Sequence, residues 1–378
     1  MNGYEGPNRG ITEIMNQLPT DTIYPVHNVV GDLVRHHFPA IAESANGFLS
    51  LVSLLLFVAL LPVLLIWLER KVCAHFQARL GPMRVGYHGL LQSTADGLKL
   101  LFKEVLMPKG ADRFVFFLAP ILPASAAFLV MAILPFDHHL QVADPAGGVI
   151  YILGISGLSV LGILLAGWAS NNKYSLLGAM RCGAQLISFE ISLALVMLLI
   201  VMVTGTASLR EIVLSQQGTV LDWWIFKLPV LGLAAFTMYM ISSTAELNRG
   251  PFDIAEAESE LSGGFAVEYS GISFAMFFFA EFVNMFVSAG IATTFFLGGF
   301  LAPQIGIGAI DAAFNFIPGF IWFFCKTFMV IFLYMWFRWT FPRLRVDQLM
   351  YLEWKMLLPA NIALLMVAGF FLAMGWTL

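Results

Sequence analysis

Residues 47–68 read GFLSLVSLLLFVALLPVLLIWL, a run of twenty-two residues without an ionisable side chain. A helix of about 20 apolar residues crosses the hydrocarbon core of a bilayer. The run is therefore long enough to span a membrane once. The rest of the sequence agrees, because 59% of the 378 residues are hydrophobic and only 12% are charged. A soluble domain has about a quarter of its residues charged.

Seven more apolar runs of similar length follow. Within lipid a helix satisfies its own backbone polar groups, and the runs lack the short alternating pattern of a β-barrel. We predict an all-α polytopic membrane protein with about eight transmembrane helices, and with amphipathic helices and structured loops on its inner side. The predicted spans are residues 47–68, 114–134, 149–169, 185–204, 226–245, 271–297, 317–337 and 356–376. Residues 1–46 form a predicted accessory N-terminal tail, and residues 47–378 form a single predicted membrane domain.

The basic residues are distributed unevenly between the predicted loops. Fifteen of the twenty lysines and arginines follow the first, third, fifth and seventh predicted spans. Loops rich in lysine and arginine remain on the cytoplasmic side of a membrane. These loops are therefore predicted to face the cytoplasm or matrix, and both termini are predicted to lie on the outer side.

Several function classes find no support in the composition. The cysteines, Cys73, Cys182 and Cys325, are far apart, which disfavours a disulfide framework, a zinc site or an iron–sulfur cluster held by this chain alone. The chain has no GxxxxGK[ST] phosphate loop, and its seven histidines fall outside the apolar runs. We therefore predict no metal site, no ATP-driven work and no transmembrane haem pair.

The stretch AELNRGPFDIAEAESELSGGFAVEYS, residues 245–270, concentrates acid between two apolar runs, beside the single cation Arg249. Its carboxylates are Glu246, Asp253, Glu256, Glu258, Glu260 and Glu268. Like charges and desolvation both favour the protonated form of a carboxylate, and the protons of such a group belong to the cluster. The loop is predicted to take up or release protons when a nearby charge changes. The alternative is a solvated acidic loop that balances the bases of the inner surface.

Two acids, Glu190 and Glu281, and one base, Lys326, lie well inside the predicted spans. A charge at this depth costs several kcal/mol and indicates a function. Glu281 lies about 15 Å into its span from the inner side, and Lys326 lies about 14 Å into the next span from the outer side. We predict that these two approach each other, directly or through water. The alternative is that Lys326 extends to the surface and Glu281 is a lone protonated acid.

The first inner loop contains an amphipathic segment from residue 89 to residue 105. Its apolar side chains share one face of a helix, and Asp96, Lys99 and Lys103 share the other. Such a helix either lies flat among the lipid headgroups or walls a cavity at the membrane surface. The Gly81-Pro82 turn before it is predicted to fix where the chain folds back.

Several motifs occur together and in order: ERK at 69–71, ADGLKLLFKE at 95–104, AELNRGPFD at 245–253, VEYSG at 267–271 and WTFPRLRVDQLM at 339–350. This pattern resembles the quinone-site membrane subunit of respiratory complex I, the H-type subunit of bacteria, over residues 47 to 376. The resemblance implies a subunit of a proton-pumping NADH:quinone oxidoreductase, a translocase. The chain would form the quinone-access chamber and couple quinone reduction to proton translocation through clustered carboxylates.

The resemblance also implies the surroundings of the protein. The substrate is a quinone, ubiquinone or menaquinone, and the chain itself holds no covalent cofactor and no redox centre. NADH, FMN and iron–sulfur clusters are expected on partner subunits. The expected partners are the iron–sulfur subunits of a peripheral arm at the inner face, other membrane subunits and lipid, but no nucleic acid. A bacterial plasma membrane is expected in preference to the mitochondrial inner membrane.

By resemblance the chain supplies two sets of site residues and no catalytic residue of its own. The predicted quinone-chamber residues are Arg70, Arg79, Asp96, Lys99, Arg249, Phe252, Phe278, Arg343, Arg345 and Asp347. The predicted proton-coupling residues are Glu190, Glu246, Asp253, Glu256, Glu258, Glu260, Glu268, Glu281 and Lys326. Arg70 either steers a quinone headgroup or holds a carboxylate, and we favour the second role. Arg338 is expected to anchor its span at the inner surface.

Two other functions remain open. A homologous membrane subunit of a hydrogenase or a formate hydrogenlyase would share many of these motifs. A stand-alone ion transporter would also use intramembrane charges, but it would be expected to show inverted repeats or paired broken helices, and none is visible in the sequence.

Overall fold

A computed structural model gives the architecture of the chain. It describes residues 39–138, 140–228, 230–254 and 263–375, and only the backbone of residues 39–50, 309 and 310. The chain divides into two units, residues 1–53 and residues 54–378. The described part of the first unit is helical from Pro39, so this helix begins inside the predicted tail of residues 1–46.

The described residues form helices and loops and contain no β-strand, which confirms the predicted all-α class. The α-helices are α1 (Pro39–Phe76), α2 (Gln92–Phe102), α3 (Arg113–Leu118), α4 (Ile121–Met131), α5 (Gly148–Ala169), α6 (Lys173–Thr204), α7 (Leu209–Leu214), α8 (Trp224–Lys227), α9 (Leu231–Glu246), α10 (Gly271–Phe296), α11 (Gly308–Asn315), α12 (Gly319–Thr340), α13 (Val346–Tyr351) and α14 (Leu358–Ala373). A π-helical turn, Leu352–Leu357, joins α13 to α14.

Seven segments of the described residues are long and apolar enough to cross a membrane. They correspond to the predicted spans except the fifth, residues 226–245. That run is divided into the four-residue helix α8 and the sixteen-residue helix α9. The sequence places Pro229 between the two helices, and proline has no backbone N–H to continue a helix. The described residues thus contain seven long spans and, within the fifth predicted run, one shorter helix that is about 24 Å long.

Helix α10 lies at the centre of the bundle. In the most apolar stretch of this helix, 61% is buried, which is the largest share among the seven segments that could cross a membrane. It packs against α4, α9 and α12, and the amphipathic helix α2 packs against it as well. The predicted amphipathic segment of the first inner loop therefore exists as α2. It contacts the central helix of the bundle, as expected of a helix that walls a cavity at the membrane surface.

Two glycines fix the loops of the predicted inner side. Gly89 has a φ of +75°, and a β-carbon there would lie 2.3 Å from the carbonyl oxygen of Pro82. Gly178 of α6 lies against the turn at Gly264, where a β-carbon would come within 2.8 Å of the Cα atom. Close backbone packing at these two places requires glycine. It positions α2 at one place and the segment that carries Glu268 at the other.

Candidate functional site: charged groups at the inner ends of the spans

Four charged side chains meet where α1, α10 and α12 approach the predicted inner side. Arg249, in the loop after α9, donates from Nη1 to Glu69 Oε2 at 2.5 Å, and its Nη2 lies 2.9 Å from Glu281 Oε1. Arg338 Nη1 lies 2.6 Å from Glu69 Oε1. We define Glu69, Arg249, Glu281 and Arg338 as the inner charge cluster. Its two carboxylates balance its two guanidinium groups.

Arg249 is the most buried member of the cluster. It is only 2% exposed, and its guanidinium lies 4.6 Å from the centre of the Phe282 ring. A planar guanidinium suits such a place, because it is weakly hydrated, stacks on aromatic faces and pairs with carboxylates. The structure thus brings together Arg249 and Glu281, which the sequence predicted as site residues. It adds Glu69 and Arg338.

Gln185 of α6 holds the loop that carries Arg249. Its side-chain nitrogen donates to the carbonyl oxygens of Ala245 and Phe252 at 2.7 and 2.9 Å. These two carbonyls flank Arg249 in the sequence, so one buried amide connects the beginning and the end of the loop. Phe252 is itself buried and packs on Phe189 of α6. This attachment determines where the Arg249 guanidinium sits.

Lys326 lies far from Glu281, so the predicted approach between them is wrong. Its Nζ donates to the carbonyl oxygens of Leu297, Gly299 and Leu301 at 2.7, 3.0 and 2.7 Å. Leu297 is sixteen residues beyond Glu281 on α10, or about 24 Å along the helix axis. The prediction failed because α10 is 26 residues long. Positions counted inward from opposite ends of such long spans do not reach the same depth.

Glu190 and Glu246 line a common cavity of about 50 Å³ whose walls are mostly apolar. Ser156 Oγ of α5 donates to Glu190 Oε1 at 2.6 Å. The remaining polar lining consists of Ser159, Tyr239, Asn284 and Ser288. One water needs roughly 10–15 Å³ of such space and two or more polar partners. The cavity therefore satisfies both requirements for water next to two carboxylates from different helices.

Arg70, at the beginning of the first inner loop, pairs with a carboxylate of the same loop. Its Nη1 lies 2.5 Å from Asp96 Oδ2, and this ion pair joins α1 to α2. This is the carboxylate contact favoured from the sequence, and the role of Arg70 toward a quinone headgroup stays a prediction. Lys99 is exposed on α2, and Arg79 donates to Gln77 Oε1 at 2.6 Å in the turn after α1.

A surface pocket of about 220 Å³ lies beside the last inner loop. It is lined by Arg181, Ile254, Arg343, Leu344, Arg345, Val346 and Asp347. Arg343 Nη2 donates to Asp253 Oδ2 at 3.0 Å. The predicted residues Arg343, Arg345 and Asp347 thus line one pocket, with Asp253 next to it.

The remaining predicted residues lie outside these groups. Glu268 Oε1 accepts a hydrogen bond from Asn172 Nδ2 at 2.6 Å, next to the start of α6. Phe278 is partly buried on α10, and its ring lies between those of Phe274 and Phe282. Glu256, Glu258 and Glu260 lie outside the described residues.

The matches to known proteins cover nearly all of this architecture. A family model described as NADH dehydrogenase matches residues 49–369. The H-type subunit of NADH-quinone oxidoreductase from Phocaeicola vulgatus is 49% identical over 317 residues, which cover 84% of this chain and 88% of that protein. This chain belongs to the same family of H-type subunits. Those of Bacteroides fragilis and Vesicomyosocius okutanii are 49% and 43% identical over 318 and 323 residues, with 84% and 85% of this chain and 88% and 89% of those proteins covered. The resemblance carried by the motifs is confirmed.

Several residues of this site are difficult to predict from the sequence of the H-type subunit. Glu69 was part of a motif, and Arg338 was expected to act as a membrane anchor, but their pairing depends on how three spans pack. Gln185 and Ser156 are neutral residues within apolar runs. A buried amide and a buried hydroxyl need hydrogen-bond partners. This need was the one feature of the sequence that could have indicated Gln185 and Ser156.

Proposed function

We propose that this chain forms the inner-face chamber in which a quinone headgroup is reduced, and that it couples this reduction to proton movement. The observation that best supports this proposal is the inner charge cluster, in which Arg249 is buried between Glu69 and Glu281. Helix α2, tied to α1 by the pair of Arg70 and Asp96, supports a chamber wall at the membrane surface. The names of the relatives support a quinone as substrate, and ubiquinone and menaquinone are both compatible with it.

The cluster can respond to charge because its pairs share partners. Reduction of a quinone to a quinol consumes two electrons and two protons. Negative charge that develops near the chamber attracts the Arg249 guanidinium and weakens its pairs with Glu69 and Glu281. A buried carboxylate that loses its cation is stabilised by binding a proton. Glu281 is the acid proposed for this step, and the cavity shared by Glu246 and Glu190 offers the next proton positions.

The proposal assigns the redox centres to other chains. Electrons arrive from an iron–sulfur protein of a peripheral arm, and NADH and FMN bind there. The pocket lined by Arg343, Arg345 and Asp347 is the proposed docking surface for that arm. The distribution of basic residues supports both termini on the outer side, and the bacterial relatives support a bacterial plasma membrane. The identity of the copurifying chains tests this assignment of the partners.

Replacing Glu281 with glutamine tests the chamber. We expect NADH:quinone turnover to fall at least tenfold, or about 1.4 kcal/mol in the activation barrier, because the variant lacks the acid that pairs with Arg249. NADH oxidation by an artificial acceptor at the peripheral arm should persist. Glu211→Gln, an exposed acid of the predicted outer side, is the matched control. An assembled Glu281→Gln complex with normal quinone turnover and normal pumping contradicts the proposal.

Replacing Glu190 with glutamine tests the proton path. We expect proton translocation to slow at least about tenfold, since a positioned acid or base contributes roughly 10²–10⁴-fold to a proton transfer. The measurement is acidification by the complex in sealed vesicles. Ser156→Ala removes the hydrogen bond to Glu190 and should have a smaller effect in the same direction. Ser125→Ala, a serine of α4 bonded only to the Leu122 carbonyl, should have none. Unchanged proton translocation in Glu190→Gln removes this residue from the path.

A further inference from the structure

Helix α6 carries a second polar network on the face opposite to Glu190. Ser192 follows Glu190 by two residues, which is about 200° around a helix. Its hydroxyl donates to Glu353 Oε1, in the π-helical turn before α14. In the same turn, Trp354 Nε1 donates to Ser188 Oγ at 3.3 Å. A carboxylate is thus held between α6 and the last span, away from the cavity of Glu190 and Glu246.

Two side chains at this interface are buried with unused hydrogen-bonding atoms. Glu353 is 1% exposed and Asn361 is 2% exposed. Glu353 Oε2 has no hydrogen-bond partner in the described part of the chain, and neither does the Oδ1 or the Nδ2 of Asn361. Nearly all buried polar groups in proteins have a partner, either in the protein or in ordered water. These three atoms therefore need hydrogen-bond partners that the described residues do not supply.

The π-helical turn brings Glu353 and Asn361 to the same face. A spacing of eight residues in a regular α-helix would place the two side chains about 80° apart. A π-bulge inserts one extra residue, so the two side chains are oriented as if seven residues of a regular helix separated them. Seven residues turn the helix by about 700°, which is within about 20° of two full turns. Both side chains then lie on the same face, which at Glu353 contacts Ser192 of α6, and α14 packs along α6 and α9. Their separation along the axis, about 10 Å, leaves room for water between them.

We propose that Glu353, Ser192 and Asn361 form a second proton-holding site, occupied by water, between α6 and α14. Water fits because it both donates and accepts, and because Asn361 offers an acceptor and two donors. No ion pair of the described residues includes Glu353. The nearby Lys355 is exposed, with its Nζ above the Tyr351 ring.

The proton is assigned to Glu353 Oε2. Glu353 Oε1 already accepts from the Ser192 hydroxyl, so Oε2 is the oxygen left to donate. A buried carboxylate without a cation is costly in its charged form, and a neutral acid avoids this cost. The Oε2 proton is donated to a water, and a short chain of waters donates in turn to Asn361 Oδ1, because two hydrogen bonds of about 2.8 Å each do not span about 10 Å. No electron transfer and no other reactant is needed.

Infrared spectroscopy of the intact complex in lipid tests this site, since the carbonyl stretch of a neutral carboxylic acid is separate from that of a carboxylate. In spectra recorded during exchange from H₂O to D₂O, we expect Glu353→Gln to lose one such band. Glu211→Gln, which removes an exposed acid, should keep it. Identical neutral-acid bands in the wild-type and Glu353→Gln complexes would overturn the proposal.

Ser192→Ala supplies a second, milder variant. It keeps the acid and removes the hydroxyl that donates to it, so the band should move to a higher wavenumber. Where Glu353→Gln does not assemble, an unmoved band in Ser192→Ala counts against the site and a moved band supports it. The readout is the proton on one side chain and not turnover, so it is independent of the quinone and proton-path proposals.

Discussion

Arg249→Met is expected to abolish quinone-linked turnover and to destabilise the protein. Methionine fills similar space without a charge, and it leaves Glu69 and Glu281 without the cation that they share. Removing one partner of a buried ion pair costs about 3–5 kcal/mol. This energy is the expected loss of stability. Turnover of the assembled complexes is expected to fall at least about a hundredfold, because removing one preorganised charge that stabilises developing charge costs about 10²–10³-fold in rate. NADH:quinone activity, with an artificial acceptor as reference, and thermal unfolding measure the two effects.

Three companion variants make this prediction specific. Arg249→Lys keeps the charge and loses the planar fork, so its activity should lie between those of wild type and Arg249→Met. Arg249→Met combined with Glu281→Gln should recover part of the stability, because one orphaned carboxylate is removed. Arg113→Met, at an exposed arginine, is the matched control and should resemble wild type. Wild-type turnover in Arg249→Met would show that the cluster has no part in the reaction.

Lys326→Met is expected to produce the second large effect, and mainly on stability. The Lys326 ammonium binds three carbonyl oxygens at the end of α10 and lies 4.1 Å from the centre of the Trp223 ring. The C-terminal end of a helix carries partial negative charge and unpaired carbonyls, which attract a cation. Each buried carbonyl left without a donor costs about 1–3 kcal/mol, so a loss of at least about 3 kcal/mol is expected.

The measurement separates anchoring from proton transfer at Lys326. Anchoring predicts a lower melting temperature and less assembled complex, with unchanged turnover and pumping in the fraction that assembles. A stable, assembled Lys326→Met complex that turns over quinone without pumping would instead place Lys326 in the proton path. Lys227→Met is the control, because Lys227 is also near a tryptophan ring, that of Trp224, but is exposed.

Composition was sufficient for the fold class and for most spans, because a helix in lipid needs about 20 apolar residues and these runs are easily recognised. It was insufficient at residues 226–245. There the run of mostly apolar residues continues through Pro229 in the sequence, but the structure has two separate helices, α8 and α9. The amphipathic helix α2 was found because its polar and apolar residues alternate with helical periodicity, and this pattern needs no tertiary information.

The candidate site was only partly predictable. Local pairs such as Arg70 with Asp96 followed from residue type and from one loop folding back. The partners of Arg249 come from α1 and α10, and which face of each helix meets the loop depends on packing that one sequence does not contain. The predicted pair of Glu281 and Lys326 failed for the same reason. Glu353 was overlooked because it lies just before the predicted eighth span, residues 356–376, where an acid is expected at the membrane surface.

The shortness of α9 bears on the lipid around the protein. A helix of about 24 Å does not match a hydrocarbon layer of about 30 Å, and bilayers adapt to such mismatch by thinning at modest cost. Acyl chains beside α9 must therefore compress, or a neighbouring subunit must cover its ends. In either case α9, which finishes at Glu246, is matched by a thinner layer or a closer partner than the longer helices α6 and α10 require.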